Sequence, residues 1–273
     1  MTPFHAILLG LVQGTTEWLP VSSSGHLVLF QKLLESEVPI FFDLVLHIAT
    51  AIVVIVVFRR DIVDIFRSLA RTLRLKKEGK SFETILLTER SSLLAWFIVL
   101  GSIPTAIIGF AFRDVIEPLF DNLFVISAAL VITGIVLTLT LLPKRKKEFM
   151  NAQDALSVGI AQGISLIPGI SRSGFTIATG MLGGVDRQLA ARYSFLLSVP
   201  AILGAATFEL LEVISSQTFP DPFPLALAFL SSLLFGYLSI KALWFIVTRA
   251  KLHYFSVYCF LIGGAILLHT LLM

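Results

Sequence analysis

A short segment in the second half of an otherwise apolar chain has side chains suited to binding an anion. Residues 162–176 read QGISLIPGISRSGFT, and they provide the guanidinium of Arg172 and the hydroxyls of Ser171, Ser173 and Thr176. Hydrogen-bond donors without nearby carboxylate acceptors suit a ligand that presents many oxygens. The segment therefore predicts a phosphate-binding site.

Glycine and proline residues predict that this segment is not one continuous helix. Gly169 and Gly174 flank the polar cluster, and they let backbone amides approach a ligand because they lack a Cβ. Pro168 has no N–H, and its ring clashes with the preceding turn of a helix. We therefore expect a break in the chain at which the polar side chains are presented.

A related segment lies near the N-terminus, about half a chain length away. Residues 13–26 read QGTTEWLPVSSSGH, so Gln13-Gly14 corresponds to Gln162-Gly163, and Ser22-x-Ser24-Gly25 corresponds to Ser171-x-Ser173-Gly174. The two segments differ in their other polar residues. The first offers a carboxylate and an imidazole for proton transfer, whereas the second offers an arginine for binding an anion.

The N-terminal copy contains candidates for proton transfer and nucleophilic attack. Glu17 lies in an apolar region, where a carboxylate is costly unless it faces a polar cavity or a partner, so we expect it to be functional. His26 is a candidate nucleophile or general acid–base, with a structural core histidine as the alternative. Ser22, Ser23 and Ser24 could cap the next helix or bind an anion at its N-terminus, and these roles are compatible.

Arg172 is the strongest candidate ligand for phosphate. Its planar guanidinium matches two phosphate oxygens at once. The structural alternative is a salt bridge, for example to Glu17. Gln13 and Gln162 begin the two copies, and we expect them to bind water or each other.

The other polar and aromatic side chains of the apolar segments are expected to have structural rather than catalytic roles. Asp43 and His47 are four residues apart on one helix face, which predicts a local ion pair near the outer interface. Glu209 is expected to be interfacial, and Cys259 to be an inert packing residue. The tryptophans and tyrosines are expected to serve as packing and interface anchors.

The composition predicts an integral membrane protein. Of 273 residues, 56% are hydrophobic and 14% are charged, with a mean hydropathy of +0.90. A soluble domain has about 25% charged residues. The net charge of +3 does not indicate nucleic-acid binding, because the basic residues cluster beside apolar segments. The one cysteine excludes an intramolecular disulfide.

Each polar copy lies between two apolar pieces that are shorter than the roughly 20 residues a span requires. We therefore predict two re-entrant, broken-helix hairpins, at 4–34 and 152–184, whose breaks must be surrounded by protein or a water-filled cavity. A basic, partly amphipathic segment is expected at 59–90. Full spans are predicted at 40–58, 91–112, 122–142, 188–211, 223–247 and 254–272.

The distribution of Lys and Arg predicts the orientation of the chain. The loops at 59–90 and 143–151 are expected to be cytoplasmic. The loops at 113–121 and 212–222 are expected to be external. Three spans separate the hairpins, so the first should open to the outside and the second to the cytoplasm. The chain is thus predicted to be a single all-α polytopic membrane domain, 1–273, with an inverted-topology repeat. Repeat 1 covers about 1–112, a linking span about 122–142, and repeat 2 about 152–273.

With both motifs considered, the chain resembles the undecaprenyl-diphosphate phosphatase family, also called the bacitracin-resistance proteins. The resemblance rests on residues 13–26 and on residues 168–176, PGISRSGFT, and the length and span pattern extend it over essentially the whole chain. It implies hydrolysis of a C55 isoprenyl diphosphate to the monophosphate that carries peptidoglycan and other cell-wall precursors. It also implies bacitracin resistance and a multi-pass protein of the bacterial inner (plasma) membrane.

The resemblance also implies roles for individual residues. The catalytic residues are expected to be Glu17, Ser23, His26 and Arg172. The phosphate ligands are expected to be Gln13, Ser171, Arg172, Ser173 and Thr176. The family has Glu or Gln followed four residues later by Glu, and Gln13 and Glu17 occupy these positions, so this motif supplies one carboxylate. A divalent cation, Mg²⁺ or Ca²⁺, is implied, with Glu17 as its candidate ligand.

Two functions from different classes follow from these observations. In the first, an enzyme binds the diphosphate in an outward-facing cavity between the hairpins, and the nucleophile is Ser23, His26 or a water molecule. In the second, a transporter carries a lipid phosphate or a small anion, because inverted repeats with broken helices are common in transporters. The acid–base pair favours the enzyme. The oligomeric state is left open, with a homodimer as one option.

Overall fold

The computed structural model describes residues 1–36, 38–79, 90–142, 147, 149–216, 221–249 and 251–272. Within these ranges the regular structure is α-helical, and an isolated bridge joins Lys147 to Val185. The first six helices are α1 Pro3–Trp18, α2 Ser23–Leu33, α3 Ile40–Val57, α4 Arg59–Lys77, α5 Arg90–Ala111 and α6 Arg113–Ile116. A 3₁₀ turn, Glu117–Asp121, follows, and then α7 Leu123–Leu139, α8 Ala152–Ile164, α9 Arg172–Leu182, α10 Arg187–Ser216, α11 Pro222–Thr248 and α12 Tyr254–Leu272.

Several of the described helices are long and apolar enough to cross a bilayer. Four qualify alone: Leu93–Ala111, Arg187–Leu211, Pro222–Thr248 and Tyr254–Leu272. The number rises to six if two bent pairs each count as one span, Phe41–Val57 with Arg59–Lys77 and Arg113–Asp121 with Leu123–Leu139. The chain is therefore an all-α polytopic membrane protein, as its composition predicts.

The segment after the first predicted span forms a separate helix. α4 bends away from α3 by 77°. It exposes Arg67 and Arg74, whereas Ile62 and Ile65 pack against the core, so the segment is basic and amphipathic as predicted. The prediction of a loop was wrong for residues 59–77, which form a helix. Residues 80–89 of this segment, which include Lys80, lie outside the described residues, as do 143–146, 148 and 217–220 of the other predicted loops.

Both predicted hairpins are present, with narrower breaks than the sequence suggests. α1 continues through Gln13 and Glu17 to Trp18 and ends before Pro20, because a residue that precedes proline is driven into extended conformation. α2 then begins at Ser23. In the second hairpin, α8 ends at Ile164 and α9 begins at Arg172, on either side of Pro168.

The first helix of each hairpin packs closely on a span from the other half of the chain. α1 packs on α11, where a Cβ at Gly10 would lie 2.3 Å from the carbonyl oxygen of Ala228. α8 packs on α5, where a Cβ at Gly159 would lie 2.2 Å from the carbonyl oxygen of Gly101. Small residues allow such close approach between helices in a membrane. Each half of the chain thus packs its first hairpin helix on a long helix of the other half, which is consistent with two related halves. The repeat boundaries stay a prediction.

Close backbone contacts bring the tips of the two hairpins together. A Cβ at Gly25 would lie 3.3 Å from the Cα of Gly169, and a Cβ at Gly174 would lie 3.1 Å from the Cβ of Pro20. Gly169 has a φ of +93°, a conformation that favours glycine, and a Cβ there would lie 2.2 Å from the carbonyl oxygen of Ile126 in α7. The two polar segments therefore lie side by side.

The close helix packing predicts opposite effects for two glycine-to-alanine substitutions. Gly159→Ala should lower the free energy of unfolding by about 1–3 kcal/mol, because the added methyl group overpacks the α8–α5 contact. Gly204→Ala in α10 meets no atom within 4 Å and should be neutral or stabilising by up to about 1 kcal/mol. The melting temperature of each variant is measured in detergent by the rate at which the buried Cys259 thiol becomes accessible to a labelling reagent on heating. Equal melting temperatures would contradict the packing described.

Candidate active site

The two polar segments share one pattern of capping hydrogen bonds at the start of α2 and α9, although the φ of Ser22 is +67° and that of Ser171 is −75°. Ser22 caps α2 by accepting from the Gly25 N–H at 3.3 Å, and Ser171 caps α9 by accepting from the Gly174 N–H at 3.1 Å. Each capping hydroxyl also lies 3.3 Å from the hydroxyl of the serine two residues later. The sequence correspondence between the copies is thus a structural correspondence.

Ser23 and Arg172 occupy equivalent positions in these two starts and converge on the same carboxylate. Each is the first residue of its helix. The Ser23 hydroxyl donates to Oε2 of Glu17 at 2.6 Å, and Nη2 of Arg172 forms an ion pair with Oε1 of Glu17. Nε2 of Gln13 also donates to Oε2 of Glu17, at 2.9 Å. Glu17 therefore joins both hairpins.

The centre of this site is buried and its edge is partly open. Glu17 is 6% exposed, and its side chain relies on partners inside the protein. Ser23 and the side chain of Arg172, the latter 17% exposed, are only partly buried. The Arg172 guanidinium also lies 5.5 Å from the centre of the Trp18 ring, where a cation–π contact helps to hold it. A ligand can therefore reach the arginine and the serine.

Both ring nitrogens of His26 have partners. Nδ1 lies 2.8 Å from the carbonyl oxygen of Ser22, and Nε2 lies 2.7 Å from the hydroxyl of Tyr258 in α12. Sequence reasoning assigned the tyrosines to packing and missed this contact. Tyr258 belongs to neither motif and lies 232 residues from His26, so no sequence signal pointed to the pair.

The hydroxyls of the second motif bond to the protein itself. Ser171 caps α9, and Ser173 donates to the carbonyl oxygen of Leu19 at 3.1 Å, across the hairpin contact. The Thr176 hydroxyl lies 2.7 Å from the carbonyl oxygen of Arg172 and 2.6 Å from the hydroxyl of Ser194 in α10. All three residues are buried. Their roles as phosphate ligands remain predictions.

Two polar contacts differ from those expected from the sequence. Gln13 and Gln162 do not bond to each other, since Gln13 donates to Glu17 whereas Gln162 donates to Thr105 and to the carbonyl oxygen of Leu197, both at 3.3 Å. The physical reason is that each side chain has nearer partners: Gln13 bonds within its own helix, and Gln162 bonds to the neighbouring helices α5 and α10.

The second difference concerns the predicted ion pair between Asp43 and His47. His47 Nδ1 bonds to the backbone carbonyl oxygen of Asp43 at 2.8 Å, whereas the Asp43 carboxylate accepts from Nε2 of Gln31 at 2.9 and 3.1 Å. The i−4 carbonyl lies closer to the ring than the carboxylate does. Glu209 is partly exposed on α10.

The side chains around Glu17 bear on the predicted divalent cation. Among the described residues there is no group of three His, Cys, Asp or Glu side chains that could hold a metal ion. Glu17 supplies one carboxylate, and both of its oxygens already have partners. Mg²⁺ commonly uses one or two carboxylates together with substrate phosphates. A cation held here by Glu17 would complete its ligands with other oxygens, such as those of substrate phosphates and water.

Two cavities lie elsewhere in the described part of the molecule. Volumes of about 400 and 690 Å³ adjoin each other near the ion pair of Arg192 with Asp61. None of the predicted site residues lines either cavity. The polar cluster at Glu17 lies at the contact between the two hairpins, with Arg172 and Ser23 partly exposed at its edge.

The fold and the site define a class of protein: a polytopic helical membrane protein whose two broken-helix hairpins combine an acid, a hydroxyl and an arginine. Comparison with known families shows that residues 6–265 match the family described as bacitracin resistance protein BacA. The chain belongs to this family.

Individual relatives resemble the chain over nearly its full length. A protein of Korarchaeum cryptofilum named undecaprenyl-diphosphatase is 41% identical over 264 residues, which cover 96% of this chain and 97% of the relative. A protein of Halothermothrix orenii with the same name is 41% identical over 273 residues, covering 98% of both chains. A third, from Desulforapulum autotrophicum, is 40% identical over 96% of both chains.

The buried ion pair predicts strong energetic coupling between the hairpins. Arg172→Met should destabilise the protein by about 3 kcal/mol, because it leaves the Glu17 carboxylate buried without a counter-charge. Adding Glu17→Gln should restore part of that loss, with a coupling energy on the order of 0.5–3 kcal/mol. Chemical unfolding of the four proteins of this double-mutant cycle measures the coupling.

A second cycle on Arg192 and Asp61 provides the control. That pair is more exposed, with side-chain accessibilities of 46% and 17%, so its coupling should be no more than about 1 kcal/mol. Additive effects at Glu17 and Arg172 would show that the two hairpins are not joined as described.

Proposed function

We propose that the protein hydrolyses undecaprenyl diphosphate to undecaprenyl phosphate and inorganic phosphate, and so recycles the lipid carrier of cell-wall precursors. The observation that carries this proposal is the convergence of Ser23 and Arg172, from separate hairpins, on the buried carboxylate of Glu17. Family membership and the shared name of the relatives support the same activity.

Arg172 and the two helix starts are suited to hold the terminal phosphoryl group. A guanidinium has five N–H donors. The ion pair with Glu17 uses Nη2, so the other nitrogens can bond phosphate oxygens. The N-termini of α2 and α9 meet at the hairpin contact, and their free N–H groups and dipoles favour an anion. Arg172 would also stabilise the charge that develops in the transition state.

The geometry favours Ser23 as the nucleophile and Glu17 as its base. As the Ser23 oxygen bonds to the terminal phosphorus, its proton passes to Glu17 across the 2.6 Å contact. The bond from that phosphorus to the bridging oxygen breaks, and undecaprenyl phosphate leaves. Water then cleaves the phosphoserine and releases inorganic phosphate. The alternative, in which Ser23 and Glu17 together orient an attacking water molecule, uses the same residues.

His26 fits a supporting role better than that of nucleophile. Attack on phosphorus needs a free ring nitrogen, whereas Nδ1 and Nε2 are bonded to Ser22 and Tyr258. A divalent cation, Mg²⁺ or Ca²⁺, is part of the proposal as a companion of the diphosphate, with Glu17 as its candidate protein ligand. Such an ion would neutralise phosphate charge.

The location of the reaction completes the proposal. The protein is expected in the bacterial plasma membrane, with the site opening to the outside and the prenyl chain remaining in the lipid. A homodimer stays a prediction. The transporter is not favoured, because translocation alone gives no reason to pair a hydroxyl with a carboxylate at 2.6 Å.

Phosphate release from undecaprenyl diphosphate by the purified protein in detergent tests the proposal. Glu17→Ala, Ser23→Ala and Arg172→Ala should each lose at least about 10²-fold in turnover, as expected when a proton acceptor or a charge-stabilising donor is removed. Assays with added Mg²⁺, with added Ca²⁺ and with a chelator test the cation.

Two matched variants control for general damage. Arg192→Ala removes an arginine that is ion-paired with Asp61, and Ser102→Ala removes a hydroxyl that donates to the Ile98 carbonyl oxygen within α5. Both should keep turnover near that of the parent. Folded parent protein that releases no phosphate under any of these conditions would contradict the phosphatase. Movement of uncleaved lipid across vesicles by that protein would then support the transporter.

A further inference from the structure

We infer that Tyr258 is a positioning residue that acts through His26 to hold Ser23 in its reactive orientation. The inference rests on the proposed function and deepens it. Tyr258 lies on α12, outside both motifs, and is half-exposed, whereas His26 is buried at 4% exposure.

The hydrogen bonds of His26 fix its tautomer. A backbone carbonyl oxygen can only accept, so the contact of 2.8 Å with the Ser22 carbonyl requires a proton on Nδ1. In the neutral ring Nε2 then has a lone pair, and the Tyr258 hydroxyl must donate to it across 2.7 Å. If His26 becomes protonated, Nε2–H donates to the same hydroxyl oxygen. Tyr258 therefore satisfies both charge states of the ring.

The residue that His26 holds is in an unusual conformation. Ser22 has a φ of +67°, where residues other than glycine are strained by about 1–3 kcal/mol and persist only when their surroundings determine the conformation. Its carbonyl oxygen accepts both from the backbone N–H of His26, at 3.2 Å, and from the His26 ring. These two bonds fix the peptide plane that links Ser22 to Ser23.

The orientation of that peptide plane sets the position of Ser23, the proposed nucleophile. Ser23 follows Ser22 directly, and its hydroxyl contacts Glu17 at 2.6 Å. A chain of contacts thus runs from Tyr258 through His26 and the Ser22 carbonyl to the Ser23 hydroxyl. A misplacement of about 1 Å can cost on the order of 10²-fold in rate, so a distant anchor of this kind affects turnover.

α12 is packed rigidly enough to act as that anchor. A Cβ at Gly263 would lie 2.9 Å from the carbonyl oxygen of Ser127, and a Cβ at Gly134 would lie 2.8 Å from the ring of Phe260, so α12 and α7 are in close contact. The residue after Tyr258, Cys259, also contacts the first hairpin, with its thiol 3.5 Å from the carbonyl oxygen of Pro20.

The test compares Tyr258→Phe with Tyr254→Phe, which removes a hydroxyl one turn earlier on the same helix. Tyr258→Phe keeps the ring but removes the donor to Nε2. Its kcat for phosphate release should fall by about 10- to 10²-fold with little change in KM, because Arg172 still binds the phosphate. Tyr254, which contacts Lys251 and His253, is exposed and should tolerate the change.

A double-mutant cycle and a spectroscopic measurement separate positioning from general damage. In a His26→Ala background, Tyr258→Phe should have no further effect beyond about twofold, because the residue through which it acts is gone. ¹⁵N NMR of histidine-labelled protein, assigned with His26→Gln, should show the Nδ1–H tautomer in the parent and a tautomeric mixture in Tyr258→Phe.

Three results would overturn the inference. They are a kcat for Tyr258→Phe equal to that of the parent, an undiminished effect in the His26→Ala background, and an Nε2–H tautomer of His26 in the parent. The NMR measurement does not need activity. An inactive parent with the predicted tautomer would therefore count against the proposed function while leaving the hydrogen-bonded pair intact.

Discussion

The structure depends on one buried carboxylate that needs partners from both halves of the chain. Glu17 lies at the end of a half-length helix where little water reaches it, and an uncompensated charge there would be strongly unfavourable. Arg172 supplies the counter-charge from the second hairpin, while Ser23 and Gln13 supply hydrogen bonds from the first. The buried carboxylate therefore has its counter-charge only when the two hairpins meet, and their meeting assembles the site.

Close backbone approach is what permits this meeting. Gly25, Gly169 and Gly174 line the contact between the hairpin tips, and side chains there would keep the tips apart. Thr133 of α7 supports the second tip by accepting from the Ser171 N–H at 3.1 Å. Tyr258 and Cys259 of α12 support the first. Each tip is thus held by a neighbouring long helix, which keeps an irregular part of the chain in place inside the protein.

The sequence predicted the features that depend on short stretches of the chain. The spans and the two breaks follow from apolar length and from glycine and proline. The ion pair of Arg172 with Glu17 was only the structural alternative to a phosphate-binding role for Arg172, and the structure shows that it forms. Contacts that depend on tertiary packing could not be predicted. Nothing near Thr176 points to Ser194, and nothing near His26 points to Tyr258. The Asp43–His47 ion pair was wrong because spacing on a helix does not show which acceptor lies closest to the imidazole.

A direct measurement of the contact between the hairpins would test the central claim. Dipolar-recoupling NMR on protein with ¹³C-labelled glutamate and ¹⁵N-labelled arginine, reconstituted in lipid, should give carboxylate–guanidinium cross-peaks for pairs within about 4 Å. The surface pairs Arg74–Glu78 and Arg113–Glu117, at 3.1 and 3.8 Å, provide internal references. We predict a further cross-peak that disappears in both Glu17→Gln and Arg172→Lys. A parent spectrum without that cross-peak would contradict a site built from both hairpins.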